Sequence, residues 1–187
     1  MRIVAGRLGG RTLKGPASQS VRPTSDRLRE AIFNILAHSY GDVVANARVV
    51  DLFAGAGGLG LEALSRGARF ALFVDDGAEA RALLRTNIES LGVAGLTRVF
   101  RRDATRLGLA PPGDKFDIAF LDPPYGRDLS GRALASLVDG GWLNEGAVCV
   151  IEEAKDAAVT LPDGLAGLER RDYGDTQIVI ARCGARP

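Results

Sequence analysis

Val49-Val50-Asp51-Leu52-Phe53-Ala54-Gly55-Ala56-Gly57-Gly58-Leu59-Gly60 is the stretch that decides the fold. It reads as a short apolar strand over Arg48–Leu52 that turns through glycines into a helix over Gly58–Arg66. Gly55, Gly57 and Gly60 keep the spacing G-x-G-x-x-G. Glycines at such a turn let the backbone bend sharply and let a ligand approach without meeting a Cβ. The helix start beyond them offers unpaired N–H groups.

Outward from this turn, strand-like and helix-like segments alternate. Phe70–Val74 is apolar and short, and Glu79–Leu91 is rich in helix formers. Thr97–Arg101, Phe116–Leu121 and Ala147–Ile151 are three more strands, with a helix near Gly131–Val138. Leu168–Tyr173 and Thr176–Arg182 read as a hairpin turning at Gly174-Asp175. This alternation predicts an α/β fold: a mostly parallel, Rossmann-like sheet with helices on both faces and a C-terminal antiparallel hairpin. Asp75 ends the second strand, at the remove from Gly55 where a nucleotide fingerprint places its acidic residue. A carboxylate there can accept hydrogen bonds from both hydroxyls of a ribose.

The turn alone fits any adenosine-bearing ligand, whether a nicotinamide or flavin dinucleotide or S-adenosylmethionine. A ligand-free tight turn is the plainer alternative. Asp51 tilts the balance, because a carboxylate at the end of strand one repels a pyrophosphate and suits an ammonium or sulfonium.

Asp122-Pro123-Pro124-Tyr125 follows the fourth strand. In an open parallel sheet the ligand site lies at the carboxyl ends of the strands, so this tetrapeptide is expected on the same rim as the glycine turn. Two prolines fix two φ angles and remove two N–H donors, leaving a stiff loop rich in acceptors. An exocyclic base amine is a poor nucleophile because its lone pair is delocalised. The Asp122 carboxylate and the Pro123 carbonyl can grip its two hydrogens, while Tyr125 stacks on the base. A proline turn packed on the sheet, with Tyr125 in the core, is the competing reading.

Asp51-x-Phe53-x-Gly55-x-Gly57 resembles the cofactor motif of class I S-adenosylmethionine-dependent methyltransferases. The resemblance implies that Asp51, Phe53, Ala54, Gly55, Gly57 and Gly60 serve the amino-acid end of the cofactor. Asp75, with Asp76 beside it, would serve the ribose, and Asp103-Ala104 the adenine. A turn cap is the plainer role for Asp103. Asp122–Tyr125 resembles the [Asn/Asp]-Pro-Pro-[Tyr/Phe] motif of amino-methyltransferases, whose targets are adenine N6, cytosine N4, guanine N2 or protein glutamine.

Three further stretches narrow the likeness. They are Arg22-Pro23-Thr24-Ser25-Asp26-Arg27-Leu28-Arg29-Glu30-Ala31-Ile32-Phe33-Asn34-Ile35-Leu36, Leu59–Ala68, and Tyr173-Gly174-Asp175-Thr176-Gln177-Ile178-Val179-Ile180. With the two motifs they resemble the RsmD-type 16S rRNA guanine-N2 methyltransferases along nearly the whole chain. This implies a bacterial cytoplasmic, monomeric, metal-free enzyme. It would consume S-adenosylmethionine, release S-adenosylhomocysteine and modify one guanine of 16S rRNA in an assembling small ribosomal subunit. One departure stands out: the family commonly places acidic, basic and acidic residues after strand two, where this chain has Asp75-Asp76-Gly77.

Residues 1–40 are expected to form a separate N-terminal extension, and residues 41–187 the methyltransferase domain. Arg2–Ala5 and Arg11–Lys14 flank Gly9-Gly10 as a small hairpin, and a helix follows from Thr24 or Ser25 to about His38. Residues 1–30 carry a charge of +5 and the rest of the chain a charge of −4, against +1 for the whole. Such a basic segment suits a polyanion. Arg7, Arg11, Lys14, Arg22 and Arg27 are the candidate RNA contacts, with closure over the cofactor the alternative for Arg22 and Thr24, although a solvated surface explains the charge equally well. His38 is given no role, and Trp142 and Cys149 are assigned to packing. No run of apolar residues is long enough to suggest a membrane span, and two cysteines are too few for a disulfide framework.

Three other functions remain open: a DNA adenine-N6 methyltransferase, a nucleotide-dependent oxidoreductase, and a non-catalytic RNA-binding module. The absence of an evident target-recognition domain counts against the first. Asp51 and Asp122–Tyr125 count against the second, and the intact motifs against the third.

Overall fold

The computed structural model describes residues 1–15 and 25–184. A central sheet carries the strands β1 (Arg48–Leu52), β2 (Phe70–Val74), β3 (Thr97–Phe100), β4 (Phe116–Leu121), β5 (Leu143–Ala154), β6 (Leu165–Tyr173) and β7 (Thr176–Cys183). Their order is β3-β2-β1-β4-β5-β7-β6. The first five are parallel, and β7 joins β5 and β6 antiparallel. The sheet is thus the Rossmann-like one expected. Strand order reverses between β1 and β4, and such a switch point opens a crevice at the strand ends.

Residues along β1 alternate between two cores. Val49 faces the side that holds Phe33, Leu61 and Leu84, whereas Val50 and Leu52 face Leu134, Leu137 and Trp142. This is the two-residue period of a strand covered on both faces. Helices α1 (Asp26–Ser39), α2 (Gly58–Ser65) and α3 (Ala78–Leu91) contribute to the first core and α4 (Leu129–Asp139) to the second.

Ser25 caps α1 by accepting from the Leu28 N–H at 3.1 Å; Thr24 lies outside the described residues. Trp142 is fully buried, stacks on Phe116 and donates to the Gly108 carbonyl at 2.8 Å. Cys149 is buried on β5, and burial pushes its thiol up to about 12. His38 is exposed near the end of α1. Among the described residues no helix is long and apolar enough to cross a membrane.

Two expectations change. β5 begins at Leu143, not Ala147, and its pairing with β4 shifts register between Phe116 and Ile118. The N-terminal hairpin is short: one antiparallel bridge, Arg2 to Thr12, flanked by bonds from the Ile3 N–H to the Arg11 carbonyl and from the Leu13 N–H to the Met1 carbonyl. Beyond Ile3 the backbone has other partners. The N–H groups of Val4 and Ala5 donate to the Glu62 carboxylate at 2.7 and 3.0 Å, not across a ladder.

These contacts fasten residues 1–15 to the body. Glu62 is fully buried on α2 and also receives Arg66 Nε at 2.8 Å. Ser65 accepts from the Leu8 N–H and donates to the Ala5 carbonyl. Asn87, buried on α3, accepts from the Lys14 N–H at 2.8 Å and donates to the carbonyls of Lys14 and Ala56. Ile3, Leu8 and Leu13 enter the same core as α1 and the sheet.

Candidate active site

β1 ends at Leu52, and Phe53 then turns the chain at φ 59°. That left-handed conformation is costly for a bulky residue. The Ala54 N–H bonds the Val74 carbonyl at 3.1 Å, which holds the turn against β2. Gly57 then caps α2 at φ 85°, a conformation glycine adopts without penalty. Gly60 answers to close packing: a Cβ there would stand 2.4 Å from the Phe73 ring. Its N–H donates to Asp51 Oδ2 at 2.8 Å.

The turn opens on a cavity of about 740 Å³. Asp51, Phe53, Ala54 and Gly55 wall it at the end of β1, and Asp75 and Asp76 at the end of β2. Asp103 and Ala104 line it after β3, and Asp122, Pro123, Pro124 and Tyr125 after β4. Two segments far apart in sequence therefore meet in one crevice. Gly57 and Gly60 shape the turn from behind and do not line the cavity. Sequence reading missed Met1, Leu83, Arg102 and Arg127 in the wall. Met1 carries no local signal; it arrives because Glu62 and Ser65 dock the N-terminus.

Asp51 is the most perturbed of these groups. It is 2% exposed, and burial, with a smaller contribution from the nearby Asp75 charge, pushes its carboxyl up to about 8. A bound cation would restore the ionised form. Asp75 braces the turn: Oδ2 accepts from the Gly55 N–H at 2.9 Å and Oδ1 from the Gly77 N–H at 2.8 Å. A carboxylate has about four acceptor positions, so two remain for a ribose. Asp103 Oδ1 accepts from Thr105 N and Oγ1, and so caps the 3₁₀ turn Ala104–Arg106. These bonds hold its carboxyl below the usual range. Asp103 both caps a turn and lines the cavity.

The Tyr125 hydroxyl lies 3.2 Å from Glu152 Oε1 and 3.1 Å from Thr176 Oγ1. Burial, with the Glu152 and Asp122 charges, pushes its phenol up to about 12. The ring is 36% exposed and does not belong to the core. The stretch from Tyr173 to Ile180 gains a reason from this, since Thr176 anchors the aromatic residue of the tetrapeptide.

Arg7, Arg11, Lys14 and Arg27 are exposed; Arg22 lies outside the described residues. Arg11 commits part of its guanidinium to the Ser90 carbonyl at 2.6 Å. Arg29, one of the basic groups within residues 1–30, is fully buried and donates to the Arg2 carbonyl and to Asp26. Among the described residues no cluster of three His, Cys, Asp or Glu could hold a metal ion.

Comparison with known proteins agrees with this geometry. The family described as Conserved hypothetical protein 95 matches residues 1–182. Ribosomal RNA small subunit methyltransferase D of Escherichia coli K12 is 40% identical over 164 residues, 87% of this chain and 79% of that protein. The solved structure of yhhF from Escherichia coli superposes with a TM-score of 0.84 at 32% identity, over 100% of this chain and 99% of that one. An RNA methyltransferase from Salinibacter ruber, solved with S-adenosyl-L-homocysteine, shares the fold at a TM-score of 0.66 and 14% identity. That match covers 89% of this chain and 96% of its own. The chain belongs to the Conserved hypothetical protein 95 family, the RsmD-type methyltransferases.

Proposed function

We propose that this protein transfers a methyl group from S-adenosylmethionine to the exocyclic N2 amine of a guanine in 16S rRNA. The observation that carries the reading is the convergence of the glycine turn and Asp122–Tyr125 on one cavity. The relative named for ribosomal RNA methylation supports the substrate class.

The wall suits such a cofactor. Its volume lies within the usual range for small-ligand pockets. Asp51 would meet the cationic amino-acid end, Asp75 the ribose and Asp103 the adenine. S-adenosylmethionine supplies a methyl carbon made electrophilic by its sulfonium, and S-adenosylhomocysteine remains afterwards.

The protein's share is positioning and proton management. Asp122 and the Pro123 carbonyl accept the two amine hydrogens and draw the nitrogen toward a tetrahedral shape, so its lone pair becomes available. Asp122 takes the proton that the nitrogen sheds. Tyr125, held from behind by Glu152 and Thr176, stacks on the guanine, a contact worth ~1–3 kcal/mol. Arg7, Arg11, Lys14, Arg22 and Arg27, all within residues 1–40, contact RNA phosphates. The substrate is rRNA within an assembling small subunit, in the cytoplasm, and the enzyme acts as a monomer without a metal.

The test is to incubate the protein with radiolabelled S-adenosylmethionine and, separately, 16S rRNA, small subunits from cells lacking this gene, or DNA. Digestion to nucleosides should release labelled N2-methylguanosine. Label in N6-methyladenine of DNA would transfer the assignment to the DNA enzyme. Absence of transfer to any nucleic acid would remove both.

A further inference from the structure

Beside the cavity, on the face that carries α4, lies a second, shallower groove of about 440 Å³. Thr105, Leu109, Arg132, Ser136 and Asp139 are among its walls. The two depressions share a boundary. Arg102, Asp103 and Ala104 line the cavity, and Thr105, Gly108 and Leu109 line the groove, so one short stretch separates them.

That stretch is basic and rigid. Arg101, Arg102, Arg106, Arg127 and Arg132 are all exposed, against Asp103, Asp128 and Asp139 in the same two segments. Arg102 donates to the Leu107 carbonyl, and the Leu107 N–H bonds Ser136 Oγ at 2.7 Å, which fixes the stretch to α4. Arg106 and Arg132 both lower the Asp103 carboxyl from the side of the boundary stretch; Arg132 is a wall of the groove, and exposed Arg106 lies on the 3₁₀ turn at its edge. Arg132 also reaches Thr105 Oγ1 at 3.5 Å. Leu109 is 82% exposed, far above any other large apolar side chain among the described residues. A cation in the groove wall, a second on the turn at its edge and an exposed apolar side chain match one nucleotide, a phosphate joined to a flat ring.

We propose that this groove is a second RNA subsite, seating a nucleotide that flanks the target base. Its phosphate sits against Arg106 and Arg132, and its ribose or base covers Leu109. A strand entering the cavity past Arg127 leaves past Arg102 into the groove. The RNA is then gripped on the α4 face as well as by the N-terminal arm on the opposite face. This rests on the reading of the cavity as a site of methyl transfer to RNA.

The experiment compares wild type with the double variant Arg106→Gln/Arg132→Gln and with Leu109→Ser. Binding of a labelled 16S rRNA transcript is measured across a salt series, methyl transfer to the transcript and to small subunits is assayed in parallel, and S-adenosylhomocysteine affinity is measured by calorimetry on the same samples. All three positions are exposed, and Thr105 still holds Asp103, so cofactor affinity should stay within about twofold and thereby report an intact fold. Single-strand contacts contribute about 0.7 each to the slope of log K against log salt. The double variant should therefore bind RNA about tenfold more weakly and with a slope smaller by about 1.4. Leu109→Ser should weaken binding several-fold and leave the slope alone. Unchanged RNA affinity and slope would overturn the subsite. So would normal binding of naked RNA with impaired methylation of subunits alone, which would hand the groove to a protein of the particle. A wild-type protein that neither binds nor methylates RNA would instead remove the reading of the cavity, and the groove with it.

Discussion

Asp51 joins stability to ligand binding through one proton. Its carboxyl titrates near 8 in the folded chain and near 3.8 when unfolded. Between those values the folded state holds a proton that the unfolded state has released, so rising pH costs stability across that window and no further above about 8. Asp51→Asn keeps an acceptor for Gly60 and removes the titration. The melting temperature of the variant, measured without cofactor, should gain on wild type steadily from pH 5 to pH 8. Parallel curves would show that Asp51 is not the titrating group. A cationic cofactor needs the ionised form, so wild-type cofactor affinity should climb over the same interval, as read by calorimetry. On the proposed mechanism, Asp122→Ala removes a grip on the amine and leaves the far wall of the cavity intact. Methyl transfer should fall by at least about a hundredfold with cofactor affinity within a few-fold. Collapse of cofactor binding would place Asp122 in the cofactor site instead. At this scale much is legible in the sequence: Asp51, Asp75, Asp103 and Asp122 all reach the cavity. The bracing of the Gly55 N–H by Asp75 and the burial of Arg29 are not, because neither leaves a pattern in neighbouring residues.

The elements divide by whether a period or a contact made them. β2 and β4 are legible to the residue, since apolar runs bounded by turn residues define a covered strand. α2 is legible as a helix but not as a docking surface. Glu62 and Ser65 look like ordinary polar positions until residues 4–8 arrive to use them. For the same reason the N-terminal hairpin is less of a ladder than its sequence suggests. Glu62→Ala strips acceptors from two backbone N–H groups and from Arg66. At roughly 1–3 kcal/mol per orphaned group, it should cost about 3–5 kcal/mol in denaturant unfolding. Glu62→Gln keeps one acceptor oxygen but turns an NH₂ group toward the remaining donors, so it too should destabilise the fold. Wild-type stability of Glu62→Ala would contradict the clamp.

For the whole molecule, the decisive fact is that distant motifs share a rim. Topology makes this legible, because parallel strands point their carboxyl ends one way and the order reverses beside β1. The distribution of charge is legible only in part. The N-terminal excess is visible along the chain, but the arginines around Asp103 come from two segments that the sheet brings together. Reversing the charge of Arg7, Arg11 and Lys14 should weaken binding of 16S rRNA and flatten its salt dependence; RNA affinity that ignores these changes would leave the arm as plain surface.

Asn87 touches both ends of the chemistry at once, since one amide holds the backbone at Lys14 and the carbonyl of Ala56. Asn87 thus ties the basic N-terminal segment to the glycine turn, where the proposed function seats the methyl donor. Nucleic acid and donor should accordingly behave as reciprocal effectors, each sharpening the other's dissociation constant by the same factor. Replacing Asn87 with alanine should bring that factor toward one.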